Sequence, residues 1–295
     1  PIEEGLAIAK YLADSGLVDM IHFGRGAYSC RWRMVSSVYQ PVGFDLEAAP
    51  MMREVIGDIP LMAHGKLNHP DVAEKAVSDG LIDLVAIGHG PIADPHWANK
   101  VKKGKLDEIN PCIGCGECHF NAMKGHSRPC AVNVHGMREG EFELTPAKSD
   151  LNILVIGAGP GGMKAAATAA ERGYRVSLYD KNTYMGGIMA AAGAPRFKAD
   201  VHDQVEYLKR QIAKNKVDLH LNTEITLEDV KKINPDFVVV ATGANPVVIP
   251  VPGADKPNVS TAVPVLLKQK EVGQKVVVVG GGEVGCELST ELRLQ

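Results

Sequence analysis

Residues 151–182, LNILVIGAGPGGMKAAATAAERGYRVSLYDKN, decide how the second half of this chain folds. An apolar run leads into Gly157-x-Gly159-x-x-Gly162, and an alanine-rich stretch follows. In a dinucleotide-binding turn the first glycine bends the chain, the second lets a pyrophosphate approach the backbone, and the third allows helix and strand to pack closely. RVSLYD then reads as a second strand ending at Asp180, whose carboxylate can take ribose hydroxyls. A bare GxGxxG says little. Strand before, helix behind and acid at the next strand end make this one a βαβ nucleotide unit.

The pattern returns in KVVVVGGGEVGCELSTEL, residues 275–292, as Gly280-x-Gly282-x-x-Gly285 after another strand-like run. Two such units can hold two dinucleotides. The second strand of this repeat, which would carry the side chain choosing NAD or NADP, is not in the sequence. Cys286 reads as a packing residue of the following helix. Between the repeats, DFVVVATGANP (236–246) reads as a strand running into Ala241, Thr242 and Gly243.

Residues 1–110 alternate helix and strand. A helical stretch over 3–15 precedes VDMIHF, the segment ending GFDLEAAPMMREVI precedes IPLMAHG, and PDVAEKAVSDG precedes DLVAIGHG, with a last helix near 96–103. Short apolar strands between amphipathic helices predict parallel strands buried on both faces, in a barrel or a doubly wound sheet. The loops favour the barrel. Gly65-Lys66 and Gly88-His89 follow successive strands, each a small residue beside a basic or potentially basic side chain. That combination suits the phosphate site after strands 7 and 8 of a TIM barrel, although ordinary loop glycines with solvated neighbours would look the same.

Between the two halves lies CIGCGECHFNAMKGHSRPC, residues 112–130, which holds four of the six cysteines. Cys112, Cys115 and Cys118 are separated by two residues each, and Cys130 returns after eleven. Four thiolates can ligate the four irons of a cubane or a single structural zinc. Zinc sites favour two separated CxxC pairs, whereas a CxxCxxC run resembles iron-sulfur binding. Intervening glycines let successive sulfurs turn inward, and Pro111 and Pro129 stiffen the approaches. His119, His126 and His135 read as surface or supporting residues, because four cysteines already complete a site. Residues 134–150 are polar and aperiodic and read as a linker.

With 32 basic and 35 acidic residues and a net charge of −3, the chain has no basic run suited to nucleic acid, so small molecules are its expected partners. Its longest apolar runs fall far short of the roughly 20 residues a bilayer needs. Thiols clustered in this way point to a reducing, cytoplasmic setting without a membrane role. Both ends read as internal to a longer protein, since Pro1 opens on a helix-like stretch and ELRLQ closes in another.

Barrel end, cysteine cluster, linker, nucleotide unit, ATG strand and second nucleotide unit, in this order, resemble the multi-cofactor old yellow enzyme family, which includes 2,4-dienoyl-CoA reductase, enoate reductases and trimethylamine dehydrogenase. DLVAIGHGPIADP followed by INPCIGC carries most of the resemblance, and Gly186-Gly187 also fits. The resemblance implies an α/β chain with the C-terminal part of an FMN-binding TIM (β/α)8 barrel over 1–110 and a 4Fe-4S segment and linker over 111–150. A Rossmann-like FAD domain over 151–270 and the start of an NAD(P)H-binding domain over 271–295 would follow. It assigns Cys112, Cys115, Cys118 and Cys130 to the cluster and Gly65, Lys66, Gly88 and His89 to the FMN phosphate. Gly157, Gly159, Gly162, Asp180, Gly187, Thr242 and Gly243 go to FAD, and Gly280, Gly282 and Gly285 to NAD(P)H.

The implied activity is reduction of an activated C=C bond in an enoyl or dienoyl thioester or an enoate. Electrons would run from NAD(P)H through FAD, cluster and FMN to a small-molecule substrate, with a homo-oligomer as one possible assembly. Tyr28 stands where the dienoyl reductases carry a histidine proton donor, and Arg25 or Arg31 would orient the substrate carbonyl. There are departures. The reductases carry arginine where this chain has Lys66 and His89, which loses a bidentate fork. The dienoyl reductases also have three residues between their second and third cysteines, against two here and in the amine dehydrogenase type. The alternatives are therefore an amine dehydrogenase or demethylase, whose first nucleotide site can hold ADP rather than FAD, and a non-catalytic electron-transfer subunit.

Overall fold

The structure, a computed structural model, describes residues 2–125, 130–136 and 138–295. The chain packs into two compact units, Pro1–Phe142 and Glu143–Gln295.

In the first unit the order is α1 (Ile2–Asp14), β1 (Ile21–Phe23), α2 (Arg31–Met34), α3 (Ala49–Ile56), β2 (Leu61–Ala63), α4 (Pro70–Ser78), β3 (Leu84–Val85), α5 (His89–Ala93), α6 (Trp97–Lys102) and α7 (Glu117–Met123). The strands form a parallel sheet in the order β1-β2-β3, with Ile21 opposite Leu61 and Met62 opposite Leu84. Side chains alternate across a strand. Ile21, Phe23, Leu61 and Ala63 therefore share one face, where they form a core with Ala9 of α1, Ala49, Met52 and Ile56 of α3, and Ala73 and Ala76 of α4. His22, Met62 and Leu84 occupy the other face, and His22 and Leu84 are exposed. Burial on both faces, expected from the apolar runs, is not what this unit shows. Among the described residues, α1, α3 and α4 all pack against the first face.

The cysteine segment is tied to the end of this sheet by a buried polar hub. Asp94, 3% exposed, accepts the backbone N–H groups of His96 (3.0 Å) and Asn110 (2.8 Å) and pairs with Lys100 Nζ at 2.5 Å. Asn110 Nδ2 donates to the carbonyls of Ala93 and Val132, and Asn133 Nδ2 to that of Ile92. The residues flanking Cys112 and Cys130 are thus bonded directly to α5.

The second unit contains β4 (Asn152–Ile156), α8 (Pro160–Glu171), β5 (Arg175–Tyr179), α9 (Gly187–Ala192), α10 (Ala199–Lys214), β6 (Asp218–His220), α11 (Leu227–Ile233), β7 (Phe237–Val240), α12 (Ala262–Leu266) and α13 (Glu283–Leu294). Its strands are parallel in the order β6-β5-β4-β7, which is the 3-2-1-4 arrangement of a Rossmann half. α8 and α10 close its core over Val155, Met163, Ala166, Leu178, Leu208 and Ile212. Residues 276–279, expected as a strand, carry no strand pairing among the described residues. A strand is defined by hydrogen bonds to a neighbour, and this run has the composition without the partner.

Replacing Asp94 by Ala removes the carboxylate partner of Lys100, which keeps only the Glu108 carbonyl, and leaves the Asn110 and His96 N–H groups unmatched. Equilibrium denaturation should show a loss of about 2–4 kcal/mol in the first unit. A change below about 0.5 kcal/mol would mean the hub does not hold the cysteine segment.

Candidate functional site

All four clustered cysteines line one recess of about 340 Å3, counting space open to solvent, together with His89, Ile92 and Val132. Two glycines shape it. Gly114 (φ +61°) lies where an added Cβ would stand 2.6 Å from the Val38 backbone nitrogen, and Gly116 (φ +72°) precedes α7 with the Phe120 ring against it. Only glycine adopts these left-handed turns freely. Burial, and then the neighbouring thiols, push Cys112 up to about 12; the same causes, burial first, raise Cys118. Gly114 N–H donates to Cys112 Sγ at 3.4 Å. Such thiols resist ionisation until a cationic centre is among them. Among the described residues no three His, Cys, Asp or Glu donors converge as around a single ion. Four thiolates can serve a polynuclear centre, in which each sulfur takes its own iron, or one tetrahedral zinc. His126 and Pro129 lie outside the described residues, as does the side chain of Arg31.

The two loops read as a phosphate site follow the adjacent parallel strands β2 and β3 and so reach the same end of the sheet. Gly65 (φ +108°) and Lys66 (φ +58°) are both left-handed, and Lys66 is 9% exposed with Nζ donating to the Gln40 carbonyl at 2.8 Å. A lysine in this conformation costs about 1–2 kcal/mol, which marks the loop as constrained by its surroundings. Gly88 is exposed, and a Cβ there would meet nothing within 4 Å, so its backbone is open to a ligand. His89 opens α5 and faces the thiol recess; burial, then the charge of His119, holds it below the usual imidazole range. The lowered proton affinity favours the neutral ring, which would meet a phosphate through a hydrogen bond.

In the second unit the expected nucleotide residues converge at the carboxyl ends of β4, β5 and β7. A Cβ on Gly157 would lie 2.3 Å from the Ala241 carbonyl oxygen, and one on Gly162 would lie 1.8 Å from that of Gly157. Gly159, which caps α8, has nothing within 4 Å of its missing Cβ apart from open space. Gly187 packs on Gly159, Thr242 borders Gly157, and Gly243 (φ +71°) faces open space. The 8%-exposed Asp180 accepts from Ala158 N–H at 2.6 Å and from the backbone and side chain of Asn182. Its carboxylate thus braces the glycine turn, and a ribose would share oxygens already in use. The second repeat has the same geometry: Gly280 is left-handed, Gly285 would clash with the Gly280 carbonyl oxygen at 2.0 Å, and Gly282 caps α13 in open space.

Tyr28 stands on a short 3-10 turn after β1 and is 83% exposed. Arg25 is held by three contacts within the fold. Its Nε donates to Asp45 at 3.1 Å, Nη1 to Glu47 at 2.8 Å and Nη2 to the Phe44 carbonyl. The sequence reading did not anticipate Asp45, which is fully buried, or the imidazoles of His22 and His64 on the open sheet face. The signal was present in IHF and MAH, where a histidine interrupts an otherwise apolar strand or its end.

The profile of the pyridine nucleotide-disulphide oxidoreductase family matches residues 151–294, so the second unit is a domain of that type. The whole chain is 34% identical to cinnamate reductase of Clostridium sporogenes, spanning 44% of that protein. Over 97% of its length it is 35% identical to NADH oxidase of Thermoanaerobacter brockii, spanning 45% of it. Among solved structures, 2-naphthoyl-CoA reductase in complex with 2-naphthoyl-CoA superimposes with a TM-score of 0.89 at 30% identity, over 98% of this chain and 44% of that one. A 6-hydroxypseudooxynicotine amine oxidase from Pseudomonas geniculata follows at 0.77 and 28%, over 90% of this chain and 41% of that one. The chain thus spans less than half the length of the relatives it matches. Order of parts, folds and whole-chain identity agree that it belongs to the old yellow enzyme and dienoyl-CoA reductase family.

Proposed function

We propose that this chain is part of an NAD(P)H-dependent flavin and iron-sulfur oxidoreductase that reduces an activated C=C bond in an unsaturated thioester or acid. The observation that carries the reading is the recess with four thiols at the end of a parallel sheet, in a chain that also presents two nucleotide-ready glycine turns. Likeness to a cinnamate reductase and to a naphthoyl-CoA reductase supports the substrate class. Residues 1–110 would form the C-terminal part of a TIM barrel. Helices on a single face of β1-β2-β3 support this, since a barrel carries its helices outside only. Residues 111–150 would be the cluster segment and linker, 151–270 the FAD domain and 271–295 the start of the NAD(P)H domain.

Each proposed group has residues that fit it. Cys112, Cys115, Cys118 and Cys130 would hold a 4Fe-4S cluster, and Gly65, Lys66, Gly88 and His89 would meet the FMN phosphate with backbone N–H groups and a single cation. Gly157, Gly159, Gly162, Asp180, Gly187, Thr242 and Gly243 would hold FAD, and Gly280, Gly282 and Gly285 the nicotinamide dinucleotide. When bound, the flavins and nicotinamide supply hydride chemistry and the cluster supplies single-electron transfer. The chain itself binds, orients and moves protons. In this reading Tyr28 delivers the proton to carbon, its exposed hydroxyl being free to reach a substrate. An amine dehydrogenase is the second reading, favoured by the two-residue spacing between Cys115 and Cys118 and by the amine oxidase likeness. Reduction of bound flavin by NADH or NADPH under anaerobic titration supports the reductase; reduction by an amine alone supports the alternative.

Three substitutions test the assignments. Cys112→Ser should remove most iron and acid-labile sulfide from anaerobically purified protein, whereas Cys286→Ser, outside the recess, should retain both; full iron in Cys112→Ser would sink the cluster assignment. Gly159→Val should empty the first nucleotide site at unchanged melting temperature, because its side chain enters open space, while Gly162→Ala should lower the melting temperature by several degrees. Flavin content and thermal denaturation distinguish the two. Tyr28→Phe should slow substrate reduction about 10²-fold, with the loss confined to the substrate half-reaction; unchanged turnover removes Tyr28 from the mechanism.

A further inference from the structure

One cluster of titratable groups is used by none of these sites. His22 is the middle residue of β1, and His64 follows β2 one alternation beyond Met62, so both lie on the sheet face that the helices leave open. His22 Nε2 is 3.0 Å from His64 Nδ1, and the rings meet edge-on. Gly24 makes room for this contact, because a Cβ there would sit 2.1 Å from His64 Cε1. On its far side His64 Nε2 is 3.5 Å from Asp45 Oδ2. Asp45 is fully buried, and Oδ2 has no hydrogen-bond partner among the described residues, while Oδ1 receives Arg25. The charges facing the two rings are therefore Arg25, Asp45 and, through Arg25, Glu47: one cation against two carboxylates.

Proton positions follow from these partners. A carboxylate paired with arginine only accepts, so the tautomer that suits this neighbour has its proton on His64 Nε2, facing Asp45 Oδ2. With both rings neutral, His64 Nδ1 is then a lone pair, His22 Nε2–H donates to it, and His22 Nδ1 faces outward as an acceptor. With one extra proton on the pair, His64 Nδ1–H donates to His22 Nε2, and His22 Nδ1–H faces outward as a donor. A single proton reverses what the open face presents. Burial, then the charge of His64, lowers the proton affinity of His22.

We propose that His22 Nδ1 is a proton-transfer atom for the substrate of the first unit, serving the carbonyl oxygen of its activating group, with His64 and Asp45 as positioning residues. The proposal rests on the reductase reading. Hydride addition at the β carbon, which a bound flavin would supply, would move the π pair onto the carbonyl oxygen. His22 gives its Nδ1 proton to that oxygen, and the His64 Nδ1 proton passes to His22 Nε2, leaving both rings neutral. As the α carbon takes its proton from Tyr28, the enol returns the oxygen-bound proton to His22, so the product gains one hydride and one proton in all.

The test has two arms. In 15N-histidine-labelled protein, long-range 1H–15N spectra should show neutral His64 as the Nε2–H tautomer, converting toward Nδ1–H in Asp45→Asn; an Nδ1–H tautomer in the unsubstituted protein overturns the relay. In cofactor-loaded enzyme, His22→Gln should slow reduction of an enoyl thioester or enoate about 10²-fold, and His64→Asn should reproduce most of that loss; turnover equal to the parent in His22→Gln overturns the proposal. If the parent accepts electrons from NAD(P)H but reduces no such substrate, the reductase reading fails and takes the carbonyl role with it. The tautomer spectra then still decide whether the relay exists.

Discussion

The first unit is built around a partly buried recess lined by four cysteines, in which burial works against a charged thiolate at Cys112 and Cys118. Burial, then the neighbouring thiols, raise both, and a cationic centre among them in the recess would favour the thiolates. Asp94, Asn110 and Asn133 bind its two flanks to α5, and the left-handed glycines 114 and 116 turn the backbone sharply enough for the segment to fold back on itself. His89 belongs to the recess as much as to the loop after β3. It therefore links the sheet end to the thiols within one short helix.

The second unit depends on a simpler contact, glycine against a carbonyl oxygen. With no room for a methyl group between Gly162 and the Gly157 carbonyl, helix α8 approaches β4 closely and its amino end points at the turn. The same contact recurs between Gly285 and Gly280. In both repeats the middle glycine faces empty space, where a pyrophosphate would meet unencumbered N–H groups and the helix dipole. Asp180 stabilises the first turn by accepting from Ala158, so the acid that would meet the ribose also braces the loop that would meet the phosphates.

Electrostatics on the open face of the first sheet follow from one buried carboxylate. Asp45 would be costly in isolation, and Arg25 offsets that cost through one oxygen while His64 stands at the edge of hydrogen-bond range from the other. The arginine thereby becomes structural. The imidazoles become the groups that can exchange protons with whatever the face binds.

The glycine fingerprints, the acid at the end of β5 and the spacing of the four cysteines were legible in the sequence because each is a local signature: backbone conformations only glycine tolerates, and ligands held within one or two turns of chain. The αβ order of both units was legible for the same reason, through the periods of apolar residues. What was not legible depended on residues distant in the chain. Folding brings Asp45 and Glu47 to Arg25, places His89 beside the thiol recess as well as after β3, and leaves the 276–279 run, which looked like a strand, without pairing among the described residues. Sequence by itself determined which segments could turn, pack or ligate. Only tertiary structure decided which charges are already neutralised and which imidazoles share a proton, since those depend on distances between segments some twenty to forty residues apart.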